Sequence, residues 1–552
     1  MMKPFPKSWM GLALLAPMTA CNRAERPNII FFLVDDYGWL DSSVAYGEEV
    51  YPNNLRIHTP NMQRLAHKGV IMTNAYACPL STPTRTSLMT GMHAAHERIT
   101  TFTAPEKDMP TDFTGGTRGF NQANCDIEDT FARPEWNWNG ISPVQGIANT
   151  QYATPMVQLL KDAGYFTIHV GKAHWATLGT PGASPYNMGF VVNVSGNMTG
   201  MPDSYYGEEN YGNIPEKWNY SAIHDLTEYY GSNVHLTEAL TKEALKTLDY
   251  PIRNGQPFYL YLSHYAVHTP IHSDPRYYQK YLDEGLDERQ AKYASMVEGV
   301  DRSLGELLDY LEQRGVADNT ILIFYSDNGG HSVNTSKGGV AHTFNAPLRE
   351  GKGSVYEGGI RVPMMFYWPG RTAAGTRVNT PVVPEDLFPT ILDMAGVKHP
   401  EVVQKLDGES LVRLVTDGSQ LAAAAASRGE IADQKAANAF VVPASVSGID
   451  PDRAVVSHMP HQWRIEDQDD VDFLSAIRKG DWKLVYRMHT GALELYNLSM
   501  DIGELHDVSA ENPDVVSALA AELSGKLRGW NAAMPVIRAT GQPVPMPDEL
   551  TR

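Results

Sequence analysis

From Arg26 to about Thr416 the chain alternates continuous apolar runs with segments whose apolar residues recur at helical spacing. That alternation is the pattern of an α/β domain built on a large, mostly parallel sheet flanked by helices. Asn28-Ile29-Ile30-Phe31-Phe32-Leu33-Val34 has no polar break after its first residue, as a strand buried on both faces requires. Phe166 to Val170, Pro257 to Leu262 and Thr320 to Tyr325 read as further strands. Thr154-Pro155 opens a helix that packs through Val157, Leu159 and Leu160 and ends at Gly164. Met296, Val300, Leu304, Leu307 and Leu311 form one stripe and predict a long helix from about Asp287 to Gln313.

The pattern changes after the Ala-rich stretch from Gly418 to about Ala437, which reads as a linker or surface helix. Ser475 to Arg478 and Trp482 to Tyr486 flank Lys479-Gly480-Asp481 as a hairpin. Leu493 to Leu498 adds a strand, and Pro513 to about Trp530 an amphipathic helix. The expected organisation is a main α/β domain over 26–416 and a smaller antiparallel sheet with a closing helix over 445–552. Two stretches look inserted: His93 to about Ser142, with Trp136 and Trp138, and Met201 to about Ser232, rich in Tyr, Gly and Asn. Long loops in compact domains shape function or decorate the surface; a substrate-shaping role is expected for at least one, since aromatic faces suit sugar rings.

Composition narrows the class. The 552 residues suffice for a sizeable core and more than one domain, with 42% hydrophobic and 20% charged residues. A net charge of −19 argues against nucleic acid as a partner. An anionic substrate then needs a local cationic site. At the N-terminus, Lys3 and Lys7 precede an apolar run from Trp9 to Met18, too short to span a bilayer, so residues 1–20 read as a signal peptide. Thr19-Ala20-Cys21 resembles a bacterial lipobox, with Met18 where Leu is usual. That implies lipidation of Cys21 and contact with a membrane through a lipid anchor only, on a periplasmic or outer-membrane-anchored lipoprotein of the bacterial cell envelope; an ordinary cleaved signal is the alternative. Cys78 and Cys125 then remain, too few for a disulfide framework.

The chemistry gathers at strand ends and one helix start. Ser81-Thr82-Pro83-Thr84-Arg85, continued to Thr90-Gly91, reads as a nucleophile mounted at the start of a helix. Pro83 has the fixed φ of a first helical position, and the free N–H groups of that turn favour an anion. Arg85 is placed to hold an oxyanion or the nucleophile itself. The first strand ends in Asp35-Asp36, and Thr320 to Tyr325 runs into Ser326-Asp327-Asn328-Gly329-Gly330-His331. Either pair alone is ordinarily a cap or turn. Together with the Ser81 run, they offer hard oxygens for Ca²⁺ or Mg²⁺ at the carboxyl edge of a sheet. Lys172 and His174 follow the strand at Val170 and can face one cleft, although an isolated pair of this kind is more often a solvated lysine and a packed histidine. His264 and His268 follow the strand at Leu262.

The Ser81 run resembles the signature of the sulfatase family, C/S-x-P-S/T-R followed by x-x-L-x-T-G. Gly171-Lys172-Ala173-His174 is similar to that family's G-K-W-H, His264 to Pro270 to its A-P-H-x-P, and Gly351 to Pro363 to its G-K-x-x-x-x-E-G-G-x-R-V-P. The C-terminal Trp482-Lys483-Leu484 and Glu494-Leu495-Tyr496-Asn497-Leu498 also resemble sulfatase strands. The resemblance implies an alkaline-phosphatase-like fold whose C-terminal subdomain completes the substrate pocket. It implies hydrolysis of sulfate monoesters, with Ser81 oxidised to formylglycine, an aldehyde that hydrates to a geminal diol. A serine at this position implies a radical-type, serine-specific maturase as partner. Asp35, Asp36, Asp327 and Asn328 are implied to bind one divalent ion, usually calcium, that also contacts the residue at position 81. Lys172 and Lys352 are implied to bind sulfate, His174 to contact the formylglycine hydroxyl, and His268, selected over His264, to serve the leaving oxygen. Glu357 and Arg361 are expected to be a structural pair. The expected substrate is a sulfated oligosaccharide, from host or algal glycans, with His458 and His461 in a possible sugar subsite beside Trp463 and Arg464; a packed inter-domain loop is the other reading of that stretch. Two rivals stand beside this: a phosphomonoester or phosphodiester hydrolase using unmodified Ser81, and an inactive glycan-binding lipoprotein.

Overall fold

The computed structural model describes residues 26–111, 130–331, 345–462 and 470–551. Residues 1–20, Cys21, Cys125, Trp463 and Arg464 lie outside them. Among the described residues, no helix is long and apolar enough to cross a membrane.

The main sheet has eight strands. They are β1 (Asn28–Val34), β2 (Val70–Met72), β3 (Phe166–Gly171), β4 (Val192–Val194), β5 (Phe258–Ser263), β6 (Thr320–Ser326), β7 (Met364–Tyr367) and β8 (Thr376–Val378). Their order is β8-β2-β7-β6-β1-β5-β3-β4, and of these strands β7 alone runs antiparallel to its neighbours. The apolar run of β1 therefore sits at the centre, between β6 and β5. Side chains of a strand alternate between faces, and β1 splits accordingly. Ile30, Phe32 and Val34 share a core with Leu240 of α3 (Leu236–Arg253) and with Val300 and Leu304 of α4 (Glu288–Gln313). Ile29, Phe31 and Leu33 share the opposite core with Leu88 of α1 (Ser81–Thr90), Val157 of α2 (Met156–Asp162) and Ile391 of α5 (Leu387–Met394). The long predicted helix begins where its cap requires: the Asp287 carboxylate accepts from the N–H groups of Arg289 and Gln290, each at 3.0 Å.

A second, four-stranded antiparallel sheet follows: β9 (Val455–Met459), β10 (Leu474–Lys479), β11 (Trp482–Arg487) and β12 (Leu493–Asn497). Helix α6 (Pro513–Gly529) covers one face, Leu519, Leu523 and Leu527 packing on Ile477, Leu484 and Leu495. The other face carries Met459, Leu474, Val485 and Tyr496, which pack on Leu80, Val355 and Tyr356. The second sheet thus backs the residue directly before Ser81. Sequence pattern does not announce β9, because all five of its residues are buried and no alternation shows. Pro83 takes the third position of α1 rather than the first; its missing N–H still falls among the donors a helix start leaves unused.

The expected Glu357–Arg361 pair is part of a larger buried network that ties the two sheets together. Lys483 Nζ lies 2.9 Å from Glu357 and 2.8 Å from Glu504, and Arg361 Nε is 2.6 Å from Glu357. Burial raises the Glu504 carboxyl to about 7, whereas Lys483 and Arg361 outweigh burial at Glu357 and hold it below its ordinary range. Lys483→Met removes the shared cation and leaves two buried carboxylates opposed. The expected loss, read by urea denaturation, is about 3–5 kcal/mol.

Candidate active site

Parallel pairing in register delivers the candidate residues to one edge. Leu33 pairs with Ser263 of β5, Val34 with Ser326 of β6, and Gly171 of β3 with Ser263. The residues that follow these positions are Asp35-Asp36, His264, Asp327-Asn328 and Lys172, so motifs separated by up to about three hundred positions in sequence emerge side by side, at the carboxyl ends where such sheets hold ligands. Gly171 permits the junction: at φ 99°, an added Cβ would lie 1.9 Å from the Ser263 carbonyl oxygen.

Ser81 is the first residue of α1 and is 4% exposed. Its hydroxyl lies 3.2 Å from Asp35 Oδ1 and 3.1 Å from Asn328 Oδ1. Lys172 Nζ is 2.5 Å from Asp35 Oδ2, and Lys352 Nζ binds Asp36 Oδ1. Asn328 Nδ2 donates to that same Asp36 oxygen at 2.8 Å. Asp327 Oδ1 accepts from the Asp36 N–H at 3.2 Å, and its Oδ2 from Arg85 Nε at 2.9 Å. Asp36 and His174 hold φ values of 58° and 54°, in the left-handed region that Asp and His enter more readily than most non-glycine residues. Asp41 accepts from the Gly38 N–H and from the Tyr293 hydroxyl.

Electrostatics sort these groups. Burial opposes ionisation of Asp36, yet Lys352, His268 and His331 hold its carboxyl well below the ordinary range. Burial and the Asp35 charge push Asp327 up, against Arg85. Burial lowers Lys172 despite Asp35, while at Lys352 the carboxylates of Asp36 and Asp35 outweigh burial and raise it. His174 is held well below the usual imidazole range by burial and by Lys172, and His268 by burial and by Lys352. His268 Nδ1 lies 2.8 Å from the Thr269 carbonyl, which can only accept, so Nδ1 carries the hydrogen and Nε2 is left for exchange. Nε2 faces Asp36 Oδ2 at 3.8 Å.

The oxygen set fits a hard divalent cation. Asp36 Oδ2 is buried and accepts no hydrogen bond among the described residues, and donor atoms of Asp35, Asp36 and His268 lie within 4.8 Å of one another. Asp327 and Asn328 border this group through their bonds to Asp36 and Ser81, and each oxygen keeps a second lone pair. Arg85 is committed to the scaffold: it grips Asp327, donates to the Lys172 carbonyl at 3.1 Å and to Ser263 Oγ at 2.6 Å, and is fully buried.

Two expected subsite residues stand elsewhere. His458 lies in β9 with both ring nitrogens engaged, by Ser475 Oγ at 2.7 Å and the Ala533 carbonyl at 2.8 Å; burial lowers it to about 3. His461 is fully buried, its Nε2 2.6 Å from Thr100 Oγ1 and its ring edge-on to Trp136. His458 is thus held within the C-terminal unit and His461 against the His93 to Ser142 stretch, the packed arrangement that is the other reading of these residues. Conversely, Ser263 and Thr82 were not singled out. Thr82 Oγ1 sits 3.3 Å from His174 Nδ1, and its signal in the sequence is no more than its place next to Ser81.

The Sulfatase family model matches residues 27–397. A sulfatase of Formosa agariphila is 28% identical over 585 residues, covering 96% of this chain and 94% of its own. The N-acetylgalactosamine-6-sulfatase of Homo sapiens is 30% identical over 410 residues, covering 73% of this chain and 68% of its own. The crystal structure of Ps i-CgsB in complex with k-i-k-neocarrahexaose superposes with a TM-score of 0.64 at 26% identity, over 91% of this chain and 93% of that one. The chain belongs to the sulfatase family, the hydrolases of sulfuric esters.

Proposed function

We propose that this protein removes sulfate from a sulfated saccharide, with the residue made by oxidation of Ser81 as its nucleophile carrier. The observation that carries the reading is the Ser81 hydroxyl, held between Asp35 and Asn328 at a buried helix start, beside carboxylates paired with Arg85, Lys172 and Lys352. The saccharide is supported by relatives whose names specify N-acetylgalactosamine-6-sulfate chemistry and a bound neocarrahexaose.

Formylglycine at position 81 would supply a hydroxyl nucleophile, and a hard divalent ion, calcium or magnesium by the donor set, would supply positive charge beside it. Asp35, Asp36, Asp327 and Asn328 are the residues that would hold that ion. Three carboxylates otherwise face the three cations Arg85, Lys172 and Lys352, so the side chains nearly cancel. Addition of the ion leaves a surplus of positive charge suited to a sulfuryl group. Lys172 and Lys352 orient the sulfate oxygens, and Arg85 fixes Asp327 and the Lys172 backbone. His268 gives its Nε2 proton to the leaving alcohol; the bound anion offsets Lys352 and raises the proton affinity of that nitrogen. His174, held neutral, is ready to accept a proton from position 81.

The direct experiment is co-expression with a radical-type, serine-specific maturase, followed by assay of inorganic sulfate release across defined sulfated mono- and disaccharides. Loss of two hydrogens in the peptide containing Ser81 marks maturation, and absence of sulfate release by fully matured protein from every ester refutes the reading. Removal of the ion by chelation is expected to lower activity by roughly 10²-fold or more. Readdition of Ca²⁺ is expected to restore activity and to raise the melting temperature, since a ligand bound only by the folded state stabilises it. We also propose residues 1–20 as a cleaved signal and Cys21 as a lipidated anchor in the bacterial envelope; metabolic labelling with a fatty-acid analogue tests this, and Cys21→Ala should remove the label.

A further inference from the structure

The segment that carries His268 is gripped from two sides. On one side is the end of β1: the Asp35 N–H donates to the Ala266 carbonyl at 3.0 Å, and the Val267 N–H donates to the Asp35 carbonyl at 2.7 Å. On the other is Tyr205, from the Met201 to Ser232 insertion. Its hydroxyl lies 2.7 Å from the Tyr265 carbonyl and 2.8 Å from the His268 carbonyl, and it can only donate to them. Tyr205 is fully buried, its ring stacked on His235 at 5.3 Å and 13°. Burial and the nearby charges of Asp35 and Asp36 raise its phenol well above the usual range, so the donor is permanent.

We infer that Tyr205 is a positioning residue for His268, its hydroxyl clamping the His268 carbonyl and thereby aiming Nε2 at the leaving oxygen. The linkage runs through covalent geometry. The clamped carbonyl fixes the plane of the peptide between His268 and Thr269. Through the φ and ψ of Thr269, that plane leads to the next carbonyl, of Thr269, which holds His268 Nδ1 at 2.8 Å. With Nδ1 fixed, the direction of Nε2 follows. The stretch leading to Tyr205 grips the other histidine as well. The Asn197 carbonyl accepts from the His174 N–H at 3.0 Å, and a Cβ on Gly200 would stand 2.6 Å from His174 Cε1. One loop thus aligns both rings, a role for the insertion distinct from touching sugar.

The inference rests on the proposed function, in which His268 is the proton donor. The test is steady-state turnover of a series of aryl sulfates, from 4-nitrophenyl sulfate to phenyl sulfate, by matured wild type, Tyr205→Phe, His268→Ala and the double variant. Tyr205→Phe keeps the ring and deletes one oxygen. Its kcat on phenyl sulfate is expected to fall about 10-fold or more through misaimed Nε2, while kcat on 4-nitrophenyl sulfate and both KM values hold. The double variant should match His268→Ala alone. The readout is a ratio of two substrates on one sample, so any loss of folded or matured protein scales both and leaves the ratio untouched. Parallel loss on both substrates, no loss on either, or a double variant worse than His268→Ala overturns the clamp. A leaving-group slope that steepens in His268→Ala but not in Tyr205→Phe refutes the clamp alone, and a slope unchanged in His268→Ala refutes the proton-donor reading beneath it.

Discussion

Ser81→Ala is expected to lower sulfate release by at least about 10⁴-fold, the scale on which removal of a nucleophile leaves binding and electrostatics behind. The structure gives the reason. The Ser81 side chain is the single hydroxyl within 3.2 Å of both the Asp35 and Asn328 oxygens among the described residues, at the N-terminus of a helix whose free N–H groups favour developing negative charge. Alanine removes the reacting atom and any chance of the aldehyde while disturbing nothing else of size. The fold should therefore survive, and an unchanged melting curve together with lost activity is the expected pair of results. Ser81→Cys makes the complementary case: with an oxygen-dependent, cysteine-specific maturase it should gain activity that the serine form lacks in that host. Full activity of Ser81→Ala would remove the basis of the proposed function.

His268→Ala is expected to cost about 10²–10⁴-fold on sulfate esters of sugars, the usual contribution of a positioned acid. The loss should shrink sharply on 4-nitrophenyl sulfate, whose leaving oxygen needs no proton. The sign of the pH dependence follows from the shifts. Burial and Lys352 depress His268, so its proton-bearing form is favoured at low pH and lost as pH rises. Wild-type turnover of poor leaving groups should fall with rising pH through that titration, and the His268→Ala profile should lose this limb. An equal loss on both substrate classes would assign the ring to binding rather than to proton transfer.

Much of this was legible in the sequence because strand ends and helix starts have local signatures. An apolar run broken by Asp35-Asp36, and another broken by Asp327-Asn328, mark where buried backbone gives way to chemistry. The rest depends on partners that sequence does not display. Ser263 is an ordinary serine until Arg85 is found against it, and Tyr205 is one tyrosine among many until its hydroxyl meets two carbonyls. His458 and His461 are ambiguous for the same reason, since a histidine in a string of letters does not reveal whether its nitrogens are already spoken for. Strand β9 was hidden because uniform burial erases the alternation that exposes half-buried strands.

Every residue of the helix that begins with Ser81 is buried, and the neighbouring Leu80 is pressed onto the C-terminal sheet. On the proposed function, an enzyme that rewrites position 81 is expected to act before that sheet closes over it. Maturation, as proposed, would then compete with folding. The yield of working enzyme would then follow the order of those two events, not the abundance of finished protein.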